Sequence, residues 1–83
     1  MMRLVFVEWL DSSGSTSEWQ SLADYKPASL RCQSVGWLAH DGPDSKTIFP
    51  HVGIDVDGVY DQGCGSMIIP AVAITRLIDL SIP

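Results

Sequence analysis

The sequence predicts an all-β protein, a small barrel of five to six short antiparallel strands with at most one short helix or helical turn. Three observations lead to this prediction. β-Branched and aromatic side chains alternate with a period of two, turn residues separate these segments, and 83 residues suffice for one core and one domain, 1–83. Closure also removes sheet edges that a chain with 46% apolar residues could not leave open. A compact monomer of this mass should expose about 4,900 Å² and have a radius of gyration of about 12 Å.

The first predicted strand covers residues 3–10, where apolar side chains point alternately to the two faces. Residues 11–17 are rich in Ser, Gly and Thr, which bond their own backbone or allow positive φ, so they predict a loop. Residues 17–24 predict one helical turn that begins at a Ser17 cap and ends before Lys26-Pro27.

The middle of the chain predicts a hairpin. Strands at 29–40 and 46–52 flank the turn signal of residues 41–44, and Gly36 indicates a bend or a close backbone approach. Pro50 indicates an edge or a bulge, because proline donates no ladder hydrogen bond. Residues 53–65 predict a long loop with one short strand at 54–60. Its Asp55-Val56-Asp57-Gly58 segment predicts an Asp-Gly turn, because the acidic spacing of an EF-hand is absent.

The C-terminal part predicts a strand at 67–69, a break at 70–72 and a final strand at 74–80. Residues 65–74, with the sequence GSMIIPAVAI, combine a strand that leads into proline, a tight helical turn and an apolar closing strand. This pattern resembles the end of an SH3-like barrel. The resemblance implies that the whole chain is an SH3-like small barrel.

The charge balance disfavours nucleic acid as the main ligand. Ten Asp and Glu outweigh five Lys and Arg, the net charge is −5, and the cations are scattered. Such a chain is better suited to a basic protein surface or to a small ligand held by a few local cations. The cations are Arg3, Lys26, Arg31, Lys46 and Arg76.

The apolar segments predict a cytoplasmic protein without a membrane partner. The longest one, residues 67–74, is far shorter than the roughly 20 residues of a spanning helix, and residues 4–7 are too short for a signal-peptide core. In the cytosol, Cys32 and Cys64 are expected to be free thiols.

The positions of cysteine and histidine in the sequence do not predict a metal site, a cofactor or an enzyme. Cys32, His40, His51 and Cys64 lack the close pair that zinc sites in small domains present. Cys64 between two glycines could act as a nucleophile with His40 or His51 as base. One small barrel would then also have to supply an oxyanion site and a substrate cleft, which disfavours catalysis.

Tryptophan is the strongest signal for binding. Trp9 and Trp37 are expected to be half-buried, whereas Trp19 lies among polar residues and the sequence does not decide whether it is exposed. An indole close to Arg31 or Lys46, with hydroxyl groups nearby, could hold a small nucleotide or anchor a partner protein. The residues predicted to bind a ligand or partner are Trp19, Arg31, Ser34, Trp37, His40 and His51.

Nearly the whole chain resembles small proteins of tailed phages and prophages. The residues that carry the resemblance are Val7-Glu8-Trp9, Asp11-Ser12, Trp19, the segment CQSVGWL at 32–38, Pro50-His51, residues 65–70, Ala73-Ile74 and Leu80. The resemblance implies an accessory phage protein that counters host defence by binding a defence protein or sequestering a nucleotide immune signal. Together with the acidic charge, the tryptophans and the lack of a catalytic constellation, it predicts a non-enzymatic binding protein that acts as a homo-oligomer. Two alternatives stay open: a nucleic-acid-associated LSm or SH3-like barrel in phage gene expression, and a minor virion or assembly component.

Overall fold

The computed structural model describes residues 2–14 and 17–83, which form a mainly β protein. The strands are β1 (Arg3–Asp11), β2 (Leu30–Asp41), β3 (Ser45–Phe49), β4 (His51–Ile54), β5 (Tyr60–Cys64), β6 (Met67–Pro70) and β7 (Ile74–Asp79). A 3₁₀ turn, Ala71–Ala73, joins β6 to β7. The predicted all-β class is confirmed. No helix in the described part of the chain is long and apolar enough to cross a membrane.

The strands form two antiparallel sheets. The larger has the order β6-β3-β2-β1-β7, and the smaller consists of β4 and β5. β6 and β7 are the two edges of the large sheet and do not pair with each other, so the sheet is not closed where a barrel was expected. Pro70 at the end of β6 has no backbone donor, and β7 continues beside β1, so no ladder forms between the edges.

The pleat of the large sheet defines an inner face that carries the core. Val5 and Val7 lie opposite Gly36 and Ser34 of β2, and their side chains share this face. Ile69 from the edge strand β6 joins the same cluster. The buried apolar residues are Val5, Val7, Leu38, Ile48 and Ile69, and Trp9, Ala73, Ile74 and Leu77 pack against them.

Gly36 permits the close approach that its position in the strand predicted. A Cβ atom at this position would lie 3.0 Å from the carbonyl oxygen of Phe49 and 3.1 Å from Cβ of Ile48. Both distances are shorter than ordinary van der Waals contact, so the backbones of β2 and β3 approach each other more closely here than a larger residue would allow.

The connection between β1 and β2 differs from the prediction. The helical turn expected at 17–24 is absent, and only residues 22–24 form a turn. The side chains of this segment are exposed, so no packed face stabilises a short helix that would be marginal alone. We call residues 17–29 the arm. Ser15 and Thr16, part of the predicted loop, lie outside the described residues.

The predicted strand at 46–52 is divided at Pro50, and its two halves, β3 and β4, belong to different sheets. The strand expected at 54–60 is replaced by a turn, so the short hairpin closes with β5 instead. Backbone N–H groups of Asp57 and Val59 donate to the Asp55 carboxylate at 2.9 and 2.8 Å. Gly58 has a φ of 81°, which confirms the Asp-Gly turn.

The molecule is elongated, and the expectation of a compact unit is wrong. Its radius of gyration is 17.0 Å, its extents are 60 × 24 × 23 Å, and its accessible surface is 6385 Å². A compact chain of this mass would have about 12 Å and about 4,900 Å². The arm and much of the β4–β5 hairpin are exposed rather than packed on the core, which accounts for the difference.

Candidate functional site

The outer face of the large sheet, opposite the core, is a regular array of side chains. Glu8 of β1 lies directly opposite Gln33 of β2 on one side and Arg76 of β7 on the other. Phe6 has the same relation to Val35 and Ile78. The outer face carries Leu4, Phe6, Glu8 and Leu10 of β1, Arg31, Gln33, Val35 and Trp37 of β2, and Arg76 and Ile78 of β7.

The row formed by Gln33, Glu8 and Arg76 is polar, and Arg31 lies beside it in the next row, opposite Leu10. We call Glu8, Arg31, Gln33 and Arg76 the arginine row. The Glu8 side chain is only 16% exposed, and its Oε1 atom lies 3.3 Å from Nη1 of Arg76. Its Oε2 atom lies 3.6 Å from Nη2 of Arg31 and accepts a 3.5 Å hydrogen bond from Gln33. A single half-buried carboxylate thus holds two cations from different strands beside it.

The two guanidinium groups keep most of their surface in water. The side chains of Arg31 and Arg76 are 82% and 62% exposed. Each guanidinium has five N–H donors, and the contacts to Glu8 involve one terminal nitrogen of each. An open depression of about 490 Å³ lies beside Glu8, Arg31 and Gln33. This arrangement can bind an anion, because guanidinium donors match the oxygens of carboxylate and phosphate groups.

The neighbouring rows of the outer face are apolar. We call Val35, Phe6 and Ile78, together with Trp37, Leu4 and Leu80, the apolar rows. The Leu80 N–H group donates to the Leu4 carbonyl oxygen at 2.8 Å and so continues the array beyond β7. At the far end, the Trp37 ring meets the Tyr60 ring edge to face, with centroids 5.7 Å apart. The β4–β5 hairpin therefore covers only this end of the face.

The predicted binding residues occupy several separate places. Arg31 and Trp37 share the outer face of β2, as their spacing predicts, but six residues separate them by roughly 20 Å. Trp37 is half-buried, as expected, and Trp19, whose exposure the sequence left open, is exposed. Trp19 lies on the arm with its side chain fully exposed.

Ser34 is on the inner face and supports the core. Its Oγ atom accepts a 3.1 Å hydrogen bond from Nε1 of Trp9, which is half-buried as predicted. The bond satisfies an indole donor that would otherwise lose its water partner. Ser34 therefore lies on the opposite side of the sheet from Arg31 and Trp37.

The two histidines also lie apart. His40 is exposed after an irregularity in β2, and its ring lies against Gly42, where a side chain would collide with it. His51 is exposed on β4, directly opposite Cys64 of β5. The His51–Cys64 pair borders an open depression of about 230 Å³. Both cysteines are free thiols, as predicted, and the described residues contain no cluster of three metal-ligating side chains.

A second ionic cluster, on the inner-face side, ties four strands together. Nε of Arg3 lies 2.8 Å from Asp79, its Nη1 atom lies 3.2 Å from Asp41, and Lys46 also contacts Asp41. The hydrogen bond from Lys46, reinforced by the charges of Lys46 and Arg3, lowers the pKa of Asp41 below its ordinary value. Arg3 and Lys46 are thereby engaged in holding β1, β2, β3 and β7.

Glu8, Gln33 and Arg76 are the members of the arginine row that sequence reasoning missed. All three lie in segments correctly predicted as strands, and Glu8 and Arg76 are the two farthest apart in the sequence. Their proximity depends on β1 pairing with β7, 68 residues apart in the chain. The only signal in the sequence is that Glu8 and Arg76 carry opposite charges and lie on the first and last strands, which would pair in a closed barrel.

The chain was also compared with known proteins. No protein-family model, curated protein or solved structure matches it. The function is therefore inferred from the chemistry of the arginine row and its surroundings.

Proposed function

We propose that this chain is a non-enzymatic phage protein that counters host defence by sequestering a small nucleotide immune signal in the host cytoplasm. The observation that carries the proposal is the pair of exposed guanidinium groups of Arg31 and Arg76 beside Glu8. The phage origin rests on the resemblance described for the sequence. Sequestration requires binding alone, so the proposal contains no bond-breaking step.

The arginine row supplies the contacts that a phosphate needs. The Arg31 contact to Glu8 is long, at 3.6 Å, and the side chain is mostly in water, so Arg31 can turn toward a ligand at little cost. A phosphate between Arg31 and Arg76 would accept charge-assisted hydrogen bonds from both. Glu8 keeps the two cations on one side of the sheet and limits the local net charge to +1.

The adjacent apolar row supplies a surface for a nucleobase. Phe6, between Val35 and Ile78, is the next outer-face residue of β1 after Glu8. Successive residues on one face of a strand are about 7 Å apart, which is within the length of a nucleotide. Aromatic and aliphatic surface of this kind binds the flat face of a base without reading its edge.

Calorimetry against a panel of cyclic and linear nucleotides tests the proposal. We expect at least one nucleotide to bind, and we expect Arg31→Ala and Arg76→Ala to weaken it roughly 10- to 100-fold each, because each removes a charge-assisted contact. Lys26→Ala on the arm is the matched control, since it changes the net charge equally and leaves the row intact. No heat with any nucleotide, or equal affinity of all three variants, would overturn the proposal. Capture of a defence protein without nucleotide binding would favour the other mode expected from the sequence.

For the fold, we propose that the five-stranded sheet is an SH3-like small barrel left open between its edges. Support comes from the order β6-β3-β2-β1-β7, in which a 3₁₀ turn joins the two edge strands. Further support is that Ile69 of β6 and Leu77 of β7 contact one core. A crystal structure with these strands packed on separate cores would refute this assignment.

A further inference from the structure

The apolar rows of the outer face are largely uncovered. Val35, on β2, exposes 52% of its surface, and Leu80 is also exposed. Phe6 is only half-buried although β1 is an interior strand of the sheet, and Ile78, on the edge strand β7, is half-buried as well. A contiguous apolar surface on a sheet is typical of an interaction site, whereas single exposed apolar residues are ordinary.

The arm is a second apolar feature without a place to pack. The side chains of Trp19 and Leu22 are fully or almost fully exposed, and Tyr25 is half-exposed. Residues 17–29 contain no strand or helix, so backbone bonding does not explain their position. A loop of this length without structure of its own usually serves binding or is a linker. Large apolar side chains at regular short intervals favour binding.

The excess surface of the chain is of the size that an interface requires. The accessible surface is 6385 Å², against about 4,900 Å² for a compact monomer of this mass. The difference is about 1,500 Å², and a specific complex of ordinary size buries about 800 Å² on each partner. One interface that covered the arm and the apolar rows would therefore remove about half of the excess surface.

We propose that this surface is covered by a second copy of the chain, with the arm of each copy lying on the apolar rows of the other. Every chain carries one arm and one set of apolar rows, so a twofold dimer contains two identical contacts between an arm and the apolar rows of the other copy. A different protein bound to the apolar rows alone would leave Trp19 and Leu22 in water. From Leu30 back to Trp19, an extended arm spans about 35 Å, enough to cross two rows that lie about 7 Å apart along β1 and extend about 10 Å across β2, β1 and β7.

The charge of the chain gives the pairing a distinctive salt dependence. Two copies each carry −5 and repel each other, and the apolar contacts are insensitive to screening. The association is therefore stronger at 300 mM than at 50 mM salt. The affinity of the arginine row for a phosphate instead falls as the salt concentration rises, so the salt dependence distinguishes the two events. The pairing requires no ligand. The arm of the second copy and a bound nucleobase would compete for the row of Val35, Phe6 and Ile78, so the pairing is measured without nucleotide.

Analytical ultracentrifugation of the full chain without nucleotide tests the proposal. We expect a mass of twice 9.1 kDa at about 100 μM. Val35→Glu on the apolar rows and Trp19→Glu on the arm should each weaken the dimer at least tenfold. Val56→Glu, at a fully exposed site on the β4–β5 turn, is the matched control and should leave the dimer unchanged. Far-UV circular dichroism verifies folding, and Val35→Thr replaces Val35→Glu if the latter unfolds.

Each alternative outcome overturns a named part of the proposal. A wild-type chain that stays at 9.1 kDa at this concentration excludes the pairing altogether. A dimer that persists with Trp19→Glu would show that the arm is not part of the interface. A dimer that persists with the Val35 variants would show that the apolar rows are not part of it. Equal dissociation by Val56→Glu shows that added charge alone separates the copies.

Discussion

Ile69 is the side chain whose truncation should cost this protein the most. It is 1% exposed and is the largest fully buried side chain, in a core of only five buried apolar residues. Ile69→Ala removes three carbons, which at about 0.8 kcal/mol each amounts to roughly 2.4 kcal/mol of transfer free energy. The cavity left behind raises the expected loss to about 3 kcal/mol.

This loss is large compared with the stability of a domain of this size. At 0.05–0.15 kcal/mol per residue, 83 residues give a free energy of unfolding of roughly 4–12 kcal/mol. The melting temperature of a domain this small falls about 4–8 °C per kcal/mol, so Ile69→Ala should lower it by roughly 12–24 °C. The edge strand β6 should also lose protection from hydrogen exchange, because Ile69 is its buried contact.

Urea denaturation followed by far-UV circular dichroism measures the loss, with Ile68→Ala as the control. Ile68 is the neighbouring residue of the same strand, is 67% exposed, and should cost less than about 1 kcal/mol. All variants are measured at one protein concentration, because association shifts apparent stability. Equal losses for the two variants, or a loss below 1 kcal/mol for Ile69→Ala, would show that β6 does not pack as described.

Three further predictions concern other contacts. Trp9→Phe and Ser34→Ala should each lower the free energy of unfolding by about 1 kcal/mol, because each removes the same hydrogen bond. The double variant should therefore lose less than the sum of the two, and additive losses in a double-mutant cycle would contradict this bond. Gly36→Ala should cost about 1–3 kcal/mol in thermal denaturation, since its new methyl meets backbone 3.0 Å away, whereas Gly14→Ala, in open space, should be nearly neutral. The carboxylate of Asp41 has a lowered pKa in the folded state, so it stabilises the fold above about pH 4 and that contribution disappears as the pH falls. The stability difference between wild type and Asp41→Asn should therefore be largest near neutrality and shrink toward pH 2, and a constant difference would contradict the ionic contacts.

The local elements were largely predictable because their signals are local. Alternation of apolar and polar side chains indicated β1, β2 and β7 to within a residue or two at each end. The strand, proline, helical turn and strand at the C-terminal end appear in the predicted order. Pro50 was recognised as an interruption, but whether a proline bends one strand or divides two depends on the sheet that each half joins.

The candidate site was only partly predictable for a similar reason. Period-two alternation already places Arg31 and Trp37 on one face of β2 and Ser34 on the other, so these three could not converge. Glu8 and Arg76 meet Arg31 only because β1 lies between β2 and β7. Strand order follows from packing of the whole chain, and no short segment contains that information.

The sequence by itself determined the β class, the approximate bounds of β1, β2 and β7, and the acidic charge, because each follows from composition or from short-range alternation. Only the tertiary structure decided which cations are available. Arg3 and Lys46 are engaged with Asp41, whereas Arg31 and Arg76 meet on the outer face beside Glu8. It also decided that the chain is elongated, with an arm and an apolar face uncovered. The physical reason is that the exposed surface area depends on which elements pack together, and the hydrophobicity of a segment does not specify the element against which it packs.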